Sequence, residues 1–245
     1  MTTITFFRYS RNQKWWGLTQ MGKALPRLSK LQGIQFYKTF GSGAGNGFSI
    51  FPDFSVYGIL AVWQSRQHAE NFTASEFLMD FNRHSTEQWT VLMQPAGGHG
   101  QWEGSNPFGA ATGKILPGQP VAVLTRATIK WRYLYQFWKR VPSVSEKMGQ
   151  YPGKIFSAGI GELPLVQQAT FSIWQNLEAM KDYAYRNPRH MQVIKKTREL
   201  GWYSEEMFMR FRLHASAGTW SGANPLQHLL APGLVTSAGT ASFTK

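Results

Sequence analysis

Lys14 to Gly45 reads KWWGLTQMGKALPRLSKLQGIQFYKTFGSGAG, and Lys130 to Gly161 reads KWRYLYQFWKRVPSVSEKMGQYPGKIFSAGIG. Laid over each other without a gap, at an offset of 130 − 14 = 116, they share Lys14/Lys130, Trp15/Trp131, Leu18/Leu134, Gln20/Gln136, Lys23/Lys139, Pro26/Pro142, Ser29/Ser145, Gly33/Gly149, Lys38/Lys154, Phe40/Phe156, Gly43/Gly159 and Gly45/Gly161. Self-similarity of this kind is the signature of a repeated architecture. Trp63 and Trp174 each end an apolar strand pattern. The halves then close alike, on Gly100-Gln-Trp102-Glu-Gly104-Ser-Asn106-Pro107 and Gly218-Thr-Trp220-Ser-Gly222-Ala-Asn224-Pro225.

Working outward, both halves read in one order. Alternation predicts strands at Ile4–Tyr9, Ile34–Phe40, Tyr57–Trp63 and Trp89–Gln94, with helices across Lys14–Leu31 and Ala69–Asn82. The second half gives strands at Val121–Ala127, Lys154–Ala158, Gln168–Trp174 and Met207–Leu213. Its helices fall at Lys130–Met148, Leu177–Tyr185 and Arg189–Leu200. Pro26 and Pro142 should each kink or shorten the first helix of their half. The expected fold class is α+β: tandem ferredoxin-like β-α-β-β-α-β repeats whose open sheet faces meet in a pseudo-two-fold barrel. Residues 1–108 form the first repeat, 109–120 a Gly- and Pro-rich linker, 121–226 the second repeat and 227–245 a tail, mobile or laid on the surface.

Composition narrows the chemistry. The 245 residues contain no cysteine, which excludes disulfides, thiolate ligation of haem, iron–sulfur clusters and a catalytic thiol. A metal would have to use His, carboxylate, Tyr or Met. Ten Trp and seventeen Phe suggest an aromatic-lined pocket beyond an ordinary core. The net charge of +13 attracts anions, whether membrane lipid or propionate groups. Its scattered distribution argues against specific nucleic-acid binding. No signal-peptide pattern or spanning run is present, so a cytoplasmic protein is expected, with peripheral contact at the inner membrane face.

The string Gly41–Gly47 follows a strand but precedes another strand, so it lacks the helix start of a dinucleotide loop; a rim turn or bulge is expected. No Ser-His-Asp set or HExxH motif is apparent. Of His68, His84, His99, His190, His214 and His228, His190 has the best placement: with Val193, Ile194, Thr197 and Gly201 it shares the apolar face of a helix. It could ligate haem iron, or it could be a core histidine satisfied by a carbonyl. Arg8 and Arg126 are read as occupying the same place on the first strand of each half, and Lys38 and Lys154 on the second. These four could meet propionates or pair with Glu. Trp63, Trp131, Phe156, Phe171, Trp174 and Trp202 are candidates to line a substrate pocket, or ordinary core.

Phe7-Arg8, Leu18-Thr-Gln20-Met21, Phe36-Tyr-Lys38-Thr-Phe40-Gly41-Ser42-Gly43, Ile59-Leu-Ala-Val-Trp63, Gly159-Ile-Gly161-Glu162, Thr170-Phe-Ser-Ile-Trp174 and Trp202…Glu205-Glu206…Arg210-Phe211 resemble the spheroidene monooxygenase family. The resemblance extends through Trp89-Thr-Val-Leu92 and Leu124-Thr-Arg-Ala-Thr128, and so over nearly the whole chain apart from linker and tail. It implies a monooxygenase using haem b and O2 on the terminal region of an acyclic carotenoid, giving hydroxy and then keto product. An electron-donor protein would be its partner, and His190 would match the family's histidine. The tail here is shorter and richer in Thr and Ser than family tails can be. The resemblance leaves the polyene open, along with homodimer formation. A haem carrier or a cofactor-free monooxygenase of the same barrel superfamily is the competing class.

Overall fold

A computed structural model describes residues 1–44, 49, 51–139, 151–186, 197, 199–231 and 234–236. The first half runs β1 (Thr2–Arg8), α1 (Lys14–Lys23), α2 (Leu25–Leu28), β2 (Ile34–Gly43), β3 (Pro52–Trp63), α3 (Arg66–Thr73), α4 (Glu76–His84) and β4 (Glu87–Gly100). The second runs β5 (Val121–Ile129), α5 (residues 134–139), β6 (Lys154–Leu163), β7 (Gln167–Trp174), α6 (Leu177–Arg186) and β8 (Tyr203–Gly218). From the tail, β9 (Val235–Thr236) pairs parallel to Ser216–Ala217 of β8.

Strand order is β4-β1-β3-β2-β6-β7-β5-β8, and β8 pairs back with β4. Every one of these pairings is antiparallel, so the sheet closes into an eight-stranded barrel. The two seams between halves differ. The β4–β8 seam runs from Trp89↔Gly218 to Gly100↔Met207, whereas β2 and β6 meet only at Gly41↔Gly161 and Ser42↔Ile160.

Alternation puts every second side chain inside. Ile4, Phe6, Phe40, Leu60, Trp89, Val91, Leu124, Phe156, Phe171, Met209 and Phe211 fill the barrel. Phe7, Tyr57, Ile59 and Trp63 point outward under the first-half helices, against Leu28, Phe72 and Phe81. The barrel interior is therefore a packed core rather than a channel.

One sequence expectation is met and two change in detail. The first helix breaks at Ala24, and Pro26 sits in the first turn of α2, where its missing N–H costs nothing. The helix expected over 69–82 is two: the Ser75 hydroxyl accepts from Leu78 N–H at 3.2 Å and starts α4. Third, the halves correspond in the sheet at a different offset from the sequence overlay. Ile34 pairs with Trp63 and Lys154 with Trp174, and Gly41 faces Gly161, so β2 maps onto β6 at 161 − 41 = 120. Gly33 and Gly153, both at positive φ (75° and 77°), open these two strands. Lys38 therefore lies four residues beyond the position matching Lys154. Likewise Arg8 faces Glu87, but it is Thr128 that faces Glu205, which leaves Arg126 two residues deeper in the barrel. A shift of four keeps a strand residue on its face and turns a helix residue by only about 40°. Apolar patterning cannot detect that slip. The second half of the Lys130–Met148 helix, with Pro142, falls outside the described residues.

Candidate functional site

The short β2–β6 seam is bare at one of its two facing pairs. That pair, Gly41 and Gly161, carries no side chains, and a Cβ added to Gly41 would meet no atom within 4 Å. Ser42 Oγ ties the seam by donating to the Gly159 carbonyl at 3.0 Å. Above this bare floor lies a groove of about 290 Å³, walled by Leu18 and Met21 of α1, Trp138 of α5, and Phe54, Tyr57 and Leu165 from the adjoining strands and turns. Its wall is mainly apolar, with the Asp53 and Glu162 carboxylates at its edge. Tyr57 is pushed up to about 12 by burial and by Asp53, so it stays a neutral phenol. A second cavity of about 260 Å³ shares Ser42, Gly43 and Asp53 and continues over the barrel mouth to Phe156, Arg8 and Trp220.

Each barrel mouth is capped by one of the repeated GxWxGxNP turns. Trp102 N–H donates to Ser105 O at 2.7 Å, and Trp220 N–H to Ala223 O at 2.8 Å. The turn residues Glu103, Gly104, Ser221 and Gly222 all have positive φ, as a tight hairpin turn requires. Gly104 N–H donates to Glu205 at 2.8 Å, and Gly222 N–H to Glu87 at 2.7 Å, so each turn is held by the strand start of the other half. The Arg8 guanidinium lies 4.4 Å from the Trp220 ring centre and Arg126 lies 5.3 Å from that of Trp102.

The four basic candidates are thereby placed. Arg8 lies 3.4 Å from Glu87. Arg126, with 1% of its side chain exposed, is bound to Glu205 and lies 3.4 Å from Glu162. Lys38 pairs with Glu103 and lies 3.3 Å from Glu162. Lys154 donates to the Ser157 hydroxyl at 3.1 Å, and burial lowers its pKa. Burial would raise the Glu205 carboxyl, but the Gly104 and Glu103 amides and Arg126 outweigh it and hold the pKa below the ordinary value. A depressed carboxylate stabilises the fold fully above its unfolded-state pKa, and that contribution is lost as pH falls through the native value. Urea midpoints are accordingly expected to drop on the acid side of the carboxylate range. The drop should be smaller in Glu205→Gln; equal acid sensitivity in the two proteins would contradict this assignment.

The six aromatic candidates are not brought together. Phe156 and Phe171 lie inside the barrel, and Phe156 reaches the mouth cavity. Trp63 and Trp174 lie on the outer faces of the two halves, donating to Thr3 and Ser172 hydroxyls. Trp202 packs with Ile129 and Phe137, and Trp131 is 73% exposed. The groove residues Leu18, Trp138 and Leu165 and the carboxylates Glu87 and Glu103 were not singled out from sequence. The equal spacings 220 − 102 and 205 − 87, both 118, were the available signal for the caps. His190, the expected iron ligand, lies outside the described residues. The other histidines have local partners: His68 with Ser65, His84 stacked on Trp16, His99 on Phe208, His214 with Gln94 and His228 with Gln227. Among the described residues, no three acidic or imidazole groups converge as a metal site.

The outer sheet faces of the halves differ in a way that bears on a cofactor. Registered on Trp63 and Trp174, the first half pairs Phe7 with Tyr57, Thr5 with Ile59 and Thr3 with Ala61. The second half has, at the same places, Ala127 with Gln168, Thr125 with Thr170 and Val123 with Ser172. Phe7 and Ile59 are thus replaced by the smaller Ala127 and Thr170, and Tyr57 by the polar Gln168. Thr125 is exposed in mid-strand although β7 and β8 flank it. The groove reaches this face through Gln168 and Trp138.

A closed antiparallel barrel with outer helices and a groove at its glycine seam defines an α+β barrel protein of the kind seen in the crystal structure of an aldoxime dehydratase. That structure superposes with a TM-score of 0.55 at 12% identity, covering 86% of this chain and 80% of that one, a likeness of fold alone. No protein-family model matches the chain. Spheroidene monooxygenase of Rhodobacter capsulatus is 36% identical over 92% of this chain and 95% of that protein. The protein of the same name from Cereibacter sphaeroides is 36% identical over 93% of this chain and 71% of its own length. The chain belongs to the spheroidene monooxygenase family, and it is an oxidoreductase of the monooxygenase type.

Proposed function

We propose that this enzyme is a haem-dependent monooxygenase that inserts oxygen from O2 near C-2 of an acyclic carotenoid, giving a hydroxy and then a keto product. Electrons would come from a donor protein. We further propose that its halves are tandem copies of one ferredoxin-like unit, since β4-β1-β3-β2 and β8-β5-β7-β6 repeat one strand order. The observation that carries the functional reading is the kinship with spheroidene monooxygenases along 92% of the chain.

The residues present fit a haem on one count that the structure supplies. The outer face of the second-half sheet has lost part of the bulk that fills the first, with Ala127 and Thr170 where Phe7 and Ile59 stand, and Thr125 is exposed there. His190 would be the iron ligand. Among the four basic residues, Lys154 meets a hydroxyl rather than a carboxylate and best suits a propionate. When bound, haem supplies the oxidising power, which no side chain of this protein has. The chain's part is to exclude water and to lay an apolar rod along the groove between Leu18, Met21 and Trp138, with its end toward Gln168. The Tyr57 phenol, neutral at working pH, adds no charge to that wall.

Absorption spectra of the purified protein with and without added haem test this reading. A Soret band is expected in the wild type and should be lost in His190→Ala, and product formation from an acyclic carotenoid should be lost with it. Protein that stays colourless after haem addition yet still oxidises the substrate would overturn haem dependence.

A further inference from the structure

We propose that the face bearing the groove mouth docks on an anionic lipid bilayer, so that an apolar substrate passes from membrane to groove without crossing water. The passage of substrate rests on the proposed carotenoid reading; the docking does not.

Three of the largest aromatic side chains stand in solvent: Trp15, Trp131 and Tyr135 are 74%, 73% and 78% exposed. Side chains of this size are seldom left so open without a partner surface. Helical spacing shows where they stand. Trp15 is three residues from Leu18 on α1, and Tyr135 is three from Trp138 on α5, so each shares a face with a residue that lines the groove. Trp131 lies one turn before Tyr135. Phe54 and Leu165, also exposed, line the groove from the adjoining strand and turn. The open aromatics thus continue the apolar groove wall out to the surface.

The charge on these segments selects the partner. No Asp or Glu occurs before Asp53, and none lies between Glu103 and Glu146. The helices α1 and α5 fall within those two acid-free stretches, which carry Arg11, Lys14 and Lys23 in one and Lys130, Arg132 and Lys139 in the other. Trp and Tyr beside Lys and Arg suit the headgroup layer, where an amphipathic ring and a cation are both satisfied. Basic residues near an anionic leaflet each add attraction that salt screens. Among the described residues no helix is long and apolar enough to cross a membrane, so this contact would be peripheral.

Vesicle sedimentation tests the proposal without haem, O2 or carotenoid. Wild-type protein is expected to pellet with phosphatidylcholine vesicles containing about a third phosphatidylglycerol and to bind pure phosphatidylcholine at least about tenfold more weakly. A Trp15→Ser/Trp131→Ser/Tyr135→Ser variant should lose about tenfold in affinity for the anionic vesicles. Lys14→Gln/Arg132→Gln should lose less and show a shallower salt dependence. All five positions leave the packed core untouched. Wild type remaining in the supernatant with both vesicles, or the aromatic variant binding as tightly as wild type, would overturn docking by this face. Turnover of detergent-dispersed substrate separates the two ideas. Activity there without vesicle binding sinks only the docking, and vesicle binding without activity sinks only the carotenoid reading.

Discussion

Arg126→Met is expected to lower the unfolding free energy by about 3 kcal/mol, the low end of the cost of breaking a buried ion pair, because the arginine is buried but its two carboxylates are only partly so. The guanidinium has 1% of its side chain exposed and stands between Glu162 and Glu205. Glu205 also receives the Gly104 amide and so anchors the Trp102 turn, while Glu162 is shared with Lys38. Removing the arginine therefore leaves two carboxylates facing each other at one barrel mouth. Adding Glu162→Gln and Glu205→Gln to Arg126→Met should recover part of the loss, because neutral amides need no counter-charge. Chemical denaturation of wild type, Arg126→Met and the triple variant measures this. A wild-type midpoint for Arg126→Met, or no recovery on neutralising the acids, would show that the network is not what closes this mouth. Arg8→Met should cost less, because its side chain is partly open to water.

The second large effect is on turnover. Gly41→Phe should cut activity by about a hundredfold or more, the scale reached when a substrate is held out of position. The fold should survive, since Gly41 does not need a positive φ and open space lies where its Cβ would be. Gly41→Ala is the control: it adds one methyl to the groove floor and should leave stability unchanged or slightly higher. Steady-state turnover of both variants beside their melting temperatures checks the pair. A fully active Gly41→Phe would place the substrate path elsewhere. Gly161 is not an equivalent probe, because a Cβ there meets the Gln167 carbonyl at 3.0 Å.

These predictions draw on different layers of information. The helix break near Pro26 and the closing turns at Trp102 and Trp220 were readable because each depends on local chemistry: a ring without an N–H, or a glycine at positive φ. Register was not readable. A four-residue slip between Lys38 and Lys154 preserves both strand and helix faces, so the overlay with the most identities is not the one the sheet adopts. The aromatic candidates failed to converge for a related reason. Alternation tells which residues share a face, but not whether that face is the barrel interior, as for Phe156 and Phe171, or the helix-covered outside, as for Trp63 and Trp174. The partners of the basic residues were hidden by distance along the chain: Arg126 and Glu205 are 79 residues apart, and Lys38 and Glu103 are 65 apart.

By itself the sequence determined the kinds and order of the elements, the absence of thiol chemistry, the basic and aromatic surplus, and the family. All of these follow from local periodicity, composition or direct comparison of residues. Tertiary structure alone decided how the halves register, which mouth each Trp turn caps, that the seam is floored by Gly41 and Gly161, and that the second half has a more open outer face than the first. Those features arise where strands distant in the chain meet. A bare glycine seam becomes a groove only when two of them face each other and helices from both halves wall it in.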